Sequence, residues 1–168
     1  PRVLRKPCFL PGADEHPVGA QILGNVPATM AAAARALVGV GYDLIDLNFA
    51  CPAPKVLRRR RGGALLDHPN TVIDCLKAVR DAVACPVLMK LRIGVDHQPA
   101  SLENFWEIVT RSIEQGADAL VIHGRTVSEG IAGLPESAPI LAARLRQTFE
   151  AHGAERVTKA YLLGPGAS

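Results

Sequence analysis

The side chains able to do chemistry in this chain gather where apolar runs stop. Leu44 to Leu47 is a short apolar run carrying Asp46. It halts at Asn48, and Pro52 and Pro54 then force an irregular turn. Cys51 sits on that stiff loop, three residues past Asn48, where a thiol is presented instead of being packed. A cysteine is more often a small buried hydrophobe, and Cys8, Cys75 and Cys85 are read that way. Lys90 directly follows Val87, Leu88 and Met89, and a cation there is costly unless it meets an anion. Such a lysine can snorkel outward, act as a Schiff-base nucleophile or hold an anionic group. His123 ends the run Ala119–Ile122 in the same way, with Arg125 and Thr126 close behind.

These residues need elements that bring them together. Val18–Leu23, interrupted only by Gln21, is a predicted strand, and Pro27 opens an alanine-rich helix to Val38 that Gly39 and Gly41 end. A second helix spans Pro69–Val83, with Val72, Ile73, Leu76, Val79 and Val83 on one face, until Cys85 and Pro86 break it. The next strand is Pro86–Leu91, followed by a polar loop from Gly94 to Pro99. A third helix, Leu102–Gln115, bears Phe105, Trp106, Ile108, Val109 and Ile113, and Ala119–Ile122 is the fourth strand. The repeat of roughly 30 to 40 residues is that of a βαβ unit. Such alternation implies a parallel sheet, either an open doubly wound sheet or a (β/α)₈ barrel. No glycine-rich phosphate fingerprint follows any strand. Instead Gln21, Asn48, Lys90 with Arg92, and His123 with Arg125 recur at successive strand ends, which is what a barrel active site requires.

Composition limits the classes. A chain of 168 residues, 48% hydrophobic and 21% charged, can bury one globular core and is not disordered. No apolar run approaches the ~18 residues of a membrane span, and the opening residues lack a signal-peptide core. Cytoplasm is the expected location. The first residue is not Met, so the chain is expected to be an interior piece of something longer or a clipped product. Four cysteines without a Cys-x-x-Cys pair suggest neither a metal site nor disulfides. A net charge of +3 permits nucleic acid without demanding it. The run Arg58, Arg59, Arg60 and Arg61, with Lys55 before it, says more: it is either a solvated face or a contact for a phosphate backbone. A whole barrel takes ~250 residues, so about four βα units are expected here. The expected division is a tail over 1–17, a partial barrel over 18–130 and a segment of different character over 131–168, with a helix at Ile140–His152.

Asp46-Leu47-Asn48 with Cys51-Pro52, then Lys55-Val56, then Gly62-Gly63-Ala64-Leu65-Leu66, resembles the signature of the tRNA-dihydrouridine synthases, flavin enzymes that reduce uridine in tRNA. Met89-Lys90-Leu91-Arg92-Ile93-Gly94 and Val121-Ile122-His123-Gly124-Arg125-Thr126 match further motifs in the same order. The resemblance covers about Val18 to Gly130 and implies strands three to six of the family's TIM barrel. It also implies FMN as cofactor, NADPH as reductant and tRNA as partner. In this resemblance Cys51 is the proton donor, and an ordinary thiol, with a pKa of about 8.5, is mostly protonated at neutral pH. Lys90, His123 and Gln21 match flavin-contacting residues. Asn48, Arg92, Arg125 and Thr126 match the substrate side, and Lys55 with Arg58 to Arg61 would lie along the RNA backbone. Two departures stand out. The family often has a glycine near Arg60, and after Gly130 the expected tryptophan and the strands that hold the flavin phosphate are not found. The alternatives are a non-catalytic barrel fragment or RNA-binding remnant, and a flavin barrel acting on free pyrimidines.

Overall fold

The computed structural model describes residues 10–130 and 138–151. Cys8, most of the predicted tail and the stretch after residue 151 lie outside the described residues.

Alternating burial defines every strand. In β1 (Gly19–Ile22), Ala20 and Ile22 are buried; in β2 (Leu44–Asn48), Ile45 and Leu47. In β3 (Val87–Arg92), Val87, Met89 and Leu91 are buried, and in β4 (Ala119–His123), Leu120 and Ile122. The strands pair in parallel in the order β1-β2-β3-β4, and the register sets Ile22 beside Leu47, Leu47 beside Met89 and Met89 beside Leu120. This row faces the helices. It packs against Met30 and Ala34 of α1 (Pro27–Val38), Val72, Leu76 and Val79 of α3 (Pro69–Arg80), and Phe105, Ile108 and Val109 of α4 (Pro99–Glu114). Consecutive strands always add on the same side, and the buried helix-facing residues lie on one face only. That is the winding of a barrel, whereas a doubly wound sheet reverses its strand order. The fold is α/β with four βα units of a TIM-type barrel.

Two carboxylates close the lower end of the sheet. Asp43 Oδ2 accepts the Val18 N–H at 2.7 Å and also meets His16; these bonds hold its pKa below the usual carboxylate value. Asp118 Oδ2 accepts the Val87 N–H at 2.8 Å and the Arg80 guanidinium at 2.6 Å.

Several boundaries differ from those predicted. The third helix begins at Pro99 instead of Leu102, since proline suits a first helical turn and Ser101 Oγ accepts the N–H groups of Val95 and Asp96. The second helix stops at Arg80, three residues early, where Arg80 Nη2 donates to the carbonyls of Val83 and Cys85 and holds an irregular exit. The last helix, α5 (Ala138–Ala151), starts two residues before the predicted Ile140; its Leu145 is buried and its Arg144 stacks 4.3 Å above the Trp106 ring.

Two short elements were not predicted. α2 (Pro54–Leu57) is a single turn, and a 3₁₀ helix covers Gly62–Asp67. Between them Arg60 takes φ +51°, and the Arg61 N–H reaches back to the Val56 carbonyl, a helix-ending geometry that suits glycine. Arg60→Gly is expected to raise stability by about 0.5–1 kcal/mol by removing left-handed strain. Urea denaturation checks this; a loss of stability contradicts it.

Candidate active site

The face of the sheet opposite the helices carries the chemistry. Parallel register sets Gln21 beside Asp46, Asn48 beside Lys90, and Arg92 beside His123. Five sequence-predicted residues therefore share one face, rising in steps toward the strand ends. Beyond β2 the Cys51 loop folds over them. Asn48, Ala50, Cys51, Pro52, Lys90, Arg92 and His123 line one hollow of about 140 Å³. The hollow is smaller than the roughly 300–1,000 Å³ of pockets that enclose a whole small molecule.

Gly62 and Gly63 explain how the Cys51 loop is seated. The Gly63 N–H donates to the Cys51 carbonyl at 3.0 Å. Gly62 has φ +57°, and a Cβ there would stand 2.9 Å from Cys51 Cβ. A Cβ at Gly63 would collide with Val127 Cγ2, so Gly62 makes room for the Cys51 loop and Gly63 for the β4 loop. Cys75, by contrast, is fully buried in α3, and burial together with Asp74 pushes its thiol up to about 11. It is a core residue, as predicted.

Arg92 holds the walls of the hollow. It is 4% exposed; its Nε donates to the Ala50 carbonyl at 2.8 Å, and its Nη1 to the carbonyls of Thr126 and Gly130 at 2.9 and 2.7 Å. Arg125 is 2% exposed, and its Nη2 has no partner among the described residues. Thr126 is buried too, and its hydroxyl donates to Glu129 Oε2 at 2.9 Å. Arg125 and Thr126 therefore do not line the hollow that holds Cys51; they build the loop beside it.

The field in the hollow is positive. Lys90 makes no ion pair among the described residues. Burial, followed by the charges of Arg92, Arg125 and Lys90, pushes the His123 pKa down, while Glu129 opposes the shift. His123 Nδ1 is buried without a hydrogen-bond partner among the described residues. Burial raises the Glu129 pKa, but the N–H and hydroxyl of Thr126, then His97 and Arg125, outweigh it and bring the carboxyl below its ordinary value.

The His123 shift has a testable sign. An unfolded histidine takes up its proton near ~6.5, the folded one at lower pH, so the unfolded state binds more protons between the two values. This contribution is intact above about pH 6.5 and is lost as pH falls through the folded value. An NMR titration of His123 is expected to show its midpoint below that of a free histidine; a midpoint above it contradicts the geometry.

Sequence reading passed over two site residues. Glu129 binds both the N–H and the hydroxyl of Thr126, a reciprocal arrangement whose signal is the Thr-x-x-Glu spacing. Asp46, read only as part of a motif, accepts from Gln21 Nε2 at 2.6 Å. The basic run lies beside the loop: Lys55, Arg58, Arg59 and Arg60 are exposed, while Arg61 is half-buried beside a second hollow of about 180 Å³ with Asn25, Thr29 and Met30.

Comparison with known proteins agrees with the motifs. The chain is 37% identical over 143 residues to the tRNA-dihydrouridine(20/20a) synthase of Pseudomonas putida, covering 82% of this chain and 42% of that protein. It is 47% identical over 108 residues to the tRNA-dihydrouridine synthase B of Yersinia pestis, covering 64% of this chain and 33% of that protein. The match thus spans less than half the length of these relatives. The family model described as dihydrouridine synthase (Dus) matches residues 8–149, reaching past the 18–130 stretch marked by the motifs on both sides. With the model covering most of the sequence and the motif residues set on one sheet face, the chain belongs to the dihydrouridine synthase family.

Proposed function

We propose that this chain carries the catalytic half-site of a flavin-dependent enzyme that reduces uridine in tRNA to 5,6-dihydrouridine. The observation that supports this most is the placement of Cys51, Lys90 and His123 around one hollow. The names of the relatives point to the same reaction.

The residues present fit a flavin. A lysine and an imidazole nitrogen that have no partner among the described residues, on a positive wall, suit a ring that gains negative charge on reduction. Lys90 and His123 would hold its polar edge. Gln21 keeps one free hydrogen and one free lone pair after its two observed bonds, enough for a further contact. FMN held there would, once reduced by NADPH, supply the hydride for C6 of the uracil.

The chain's own residues do the rest. Cys51 gives its proton to C5, and Asn48 turns its remaining N–H toward a uracil carbonyl. Arg92, with Nε and Nη1 committed to backbone carbonyls, fixes the loops around the substrate and keeps Nη2 for it, while Thr126 acts through Glu129. Arg125 adds positive charge. Exposed Lys55, Arg58, Arg59 and Arg60, with Arg61 beside them, track the RNA backbone while the uridine leaves its stack. Residues 18–130 form the unit that carries this site, flanked by 1–17 and 131–168.

The test is incubation with FMN, NADPH and an unmodified tRNA transcript, with nucleoside mass spectrometry reading a gain of two hydrogens on uridine. Dihydrouridine above the no-enzyme control is expected. A second reading also has an observation behind it: β1 and β4 each have a strand neighbour on one side only among the described residues. A non-catalytic fragment binding RNA through the basic run would then give retention of tRNA, no product and a colourless preparation.

A further inference from the structure

We propose that Asp46 is a positioning residue that fixes the polarity of a hydrogen-bond relay from the middle of β2 to the Cys51 loop. The relay runs from Asp46 through Gln21 and Asn48 to the backbone of Ala50. Gln21 Nε2 donates to Asp46 Oδ2 at 2.6 Å, Asn48 Nδ2 donates to Gln21 Oε1 at 2.7 Å, and the Ala50 N–H donates to Asn48 Oδ1 at 3.0 Å.

Side-chain amides can turn either way, but the two ends of this relay cannot. An ionised carboxylate only accepts, and a backbone N–H only donates. Between such ends the two amides have one satisfied arrangement. Gln21 must turn its nitrogen to Asp46, so its oxygen faces Asn48. Asn48 must then turn its nitrogen to Gln21 and its oxygen to Ala50. In this arrangement Asn48, which lines the hollow with Cys51, keeps one hydrogen of Nδ2 unspent.

The relay also completes a clamp. With its N–H held by Asn48 and its carbonyl held by Arg92 at 2.8 Å, Ala50 has both backbone groups fixed, one residue before the thiol. Asp46 Oδ1 is buried and has no hydrogen-bond partner among the described residues, an arrangement that a role confined to stability does not explain. Without the carboxylate, Gln21 is free to flip and offer its nitrogen to Asn48 Oδ1, in competition with the Ala50 N–H.

The consequence for catalysis rests on the proposed function, but the relay itself is tested without flavin or RNA. Hydrogen exchange of the Ala50 amide is measured by NMR in the wild type, Asp46→Ala, Asp46→Asn and Gln21→Ala, with the β3 and β4 amides as the reference for folding. Asp46→Ala and Gln21→Ala are expected to speed Ala50 exchange by about tenfold, one hydrogen bond's worth. Asp46→Asn, whose amide can turn its nitrogen to Gln21 and so no longer fixes the polarity, is also expected to exchange faster than the wild type. Unchanged Ala50 exchange in Asp46→Ala overturns the proposal, as does Asp46→Asn exchanging as slowly as the wild type. If Asp46→Ala fails to fold, Gln21→Ala decides, since Gln21 is exposed; wild-type exchange there overturns it equally. A protein that makes no dihydrouridine but shows this pattern keeps the relay and loses the enzymatic reading.

Discussion

Cys51→Ala is expected to lower dihydrouridine formation by about 10²–10⁴-fold, the usual contribution of a positioned general acid. Among the described residues Cys51 is the cysteine lining the hollow, and Cys75, buried and with its thiol pushed up to about 11, cannot take over. The substitution removes one small atom from a loop anchored through backbone groups: the Cys51 carbonyl by Gly63, and the Ala50 peptide by Asn48 and Arg92. The fold and RNA retention are therefore expected to survive. Product formation by the flavin-loaded protein, measured beside tRNA binding, checks both halves. A variant that retains full activity removes Cys51 from the acid role, and one that loses RNA retention equally shows a structural effect.

The largest loss of stability is expected at Arg92. Arg92→Met keeps much of the aliphatic bulk but leaves the carbonyls of Ala50, Thr126 and Gly130 without their donor inside the protein. Each buried carbonyl left unsatisfied costs about 1–3 kcal/mol, and since partial rehydration recovers some of it, a total of about 3 kcal/mol is expected. Lysine is no remedy, because one ammonium cannot reproduce the planar fork that reaches two loops at once. Urea denaturation is expected to show a lower midpoint for both Arg92→Met and Arg92→Lys. A midpoint within error of the wild type contradicts the account of Arg92 as the brace between the β2 and β4 loops.

The sequence disclosed some features more readily than others. Pro27–Val38 was legible end to end, because proline opens it and Gly39 closes it. α2 was not, since four residues cannot display a helical period, and Gly62-Gly63 reads as loop by composition although tertiary contact with Cys51 makes it a 3₁₀ helix. Asn48, Lys90 and His123 stood out because a polar residue terminating an apolar run is conspicuous. Asp46 did not, because a carboxylate within a strand acquires a task only once register sets it beside Gln21. Arg92 was read as facing substrate; which carbonyls take up its donors depends on how two loops far apart in sequence meet, and no local pattern carries that. The departure at Arg60 was visible in the sequence, and its meaning, a left-handed backbone position, came only with the dihedral angle.

In the proposed site Lys90, His123 and the Cys51 loop share one flavin. Titration of FMN against the wild-type chain and Lys90→Met, followed by flavin fluorescence, tests it most directly. Saturable binding tighter than millimolar, weakened at least severalfold by Lys90→Met, is the predicted result; no saturable binding up to millimolar FMN, or identical binding by both proteins, contradicts it.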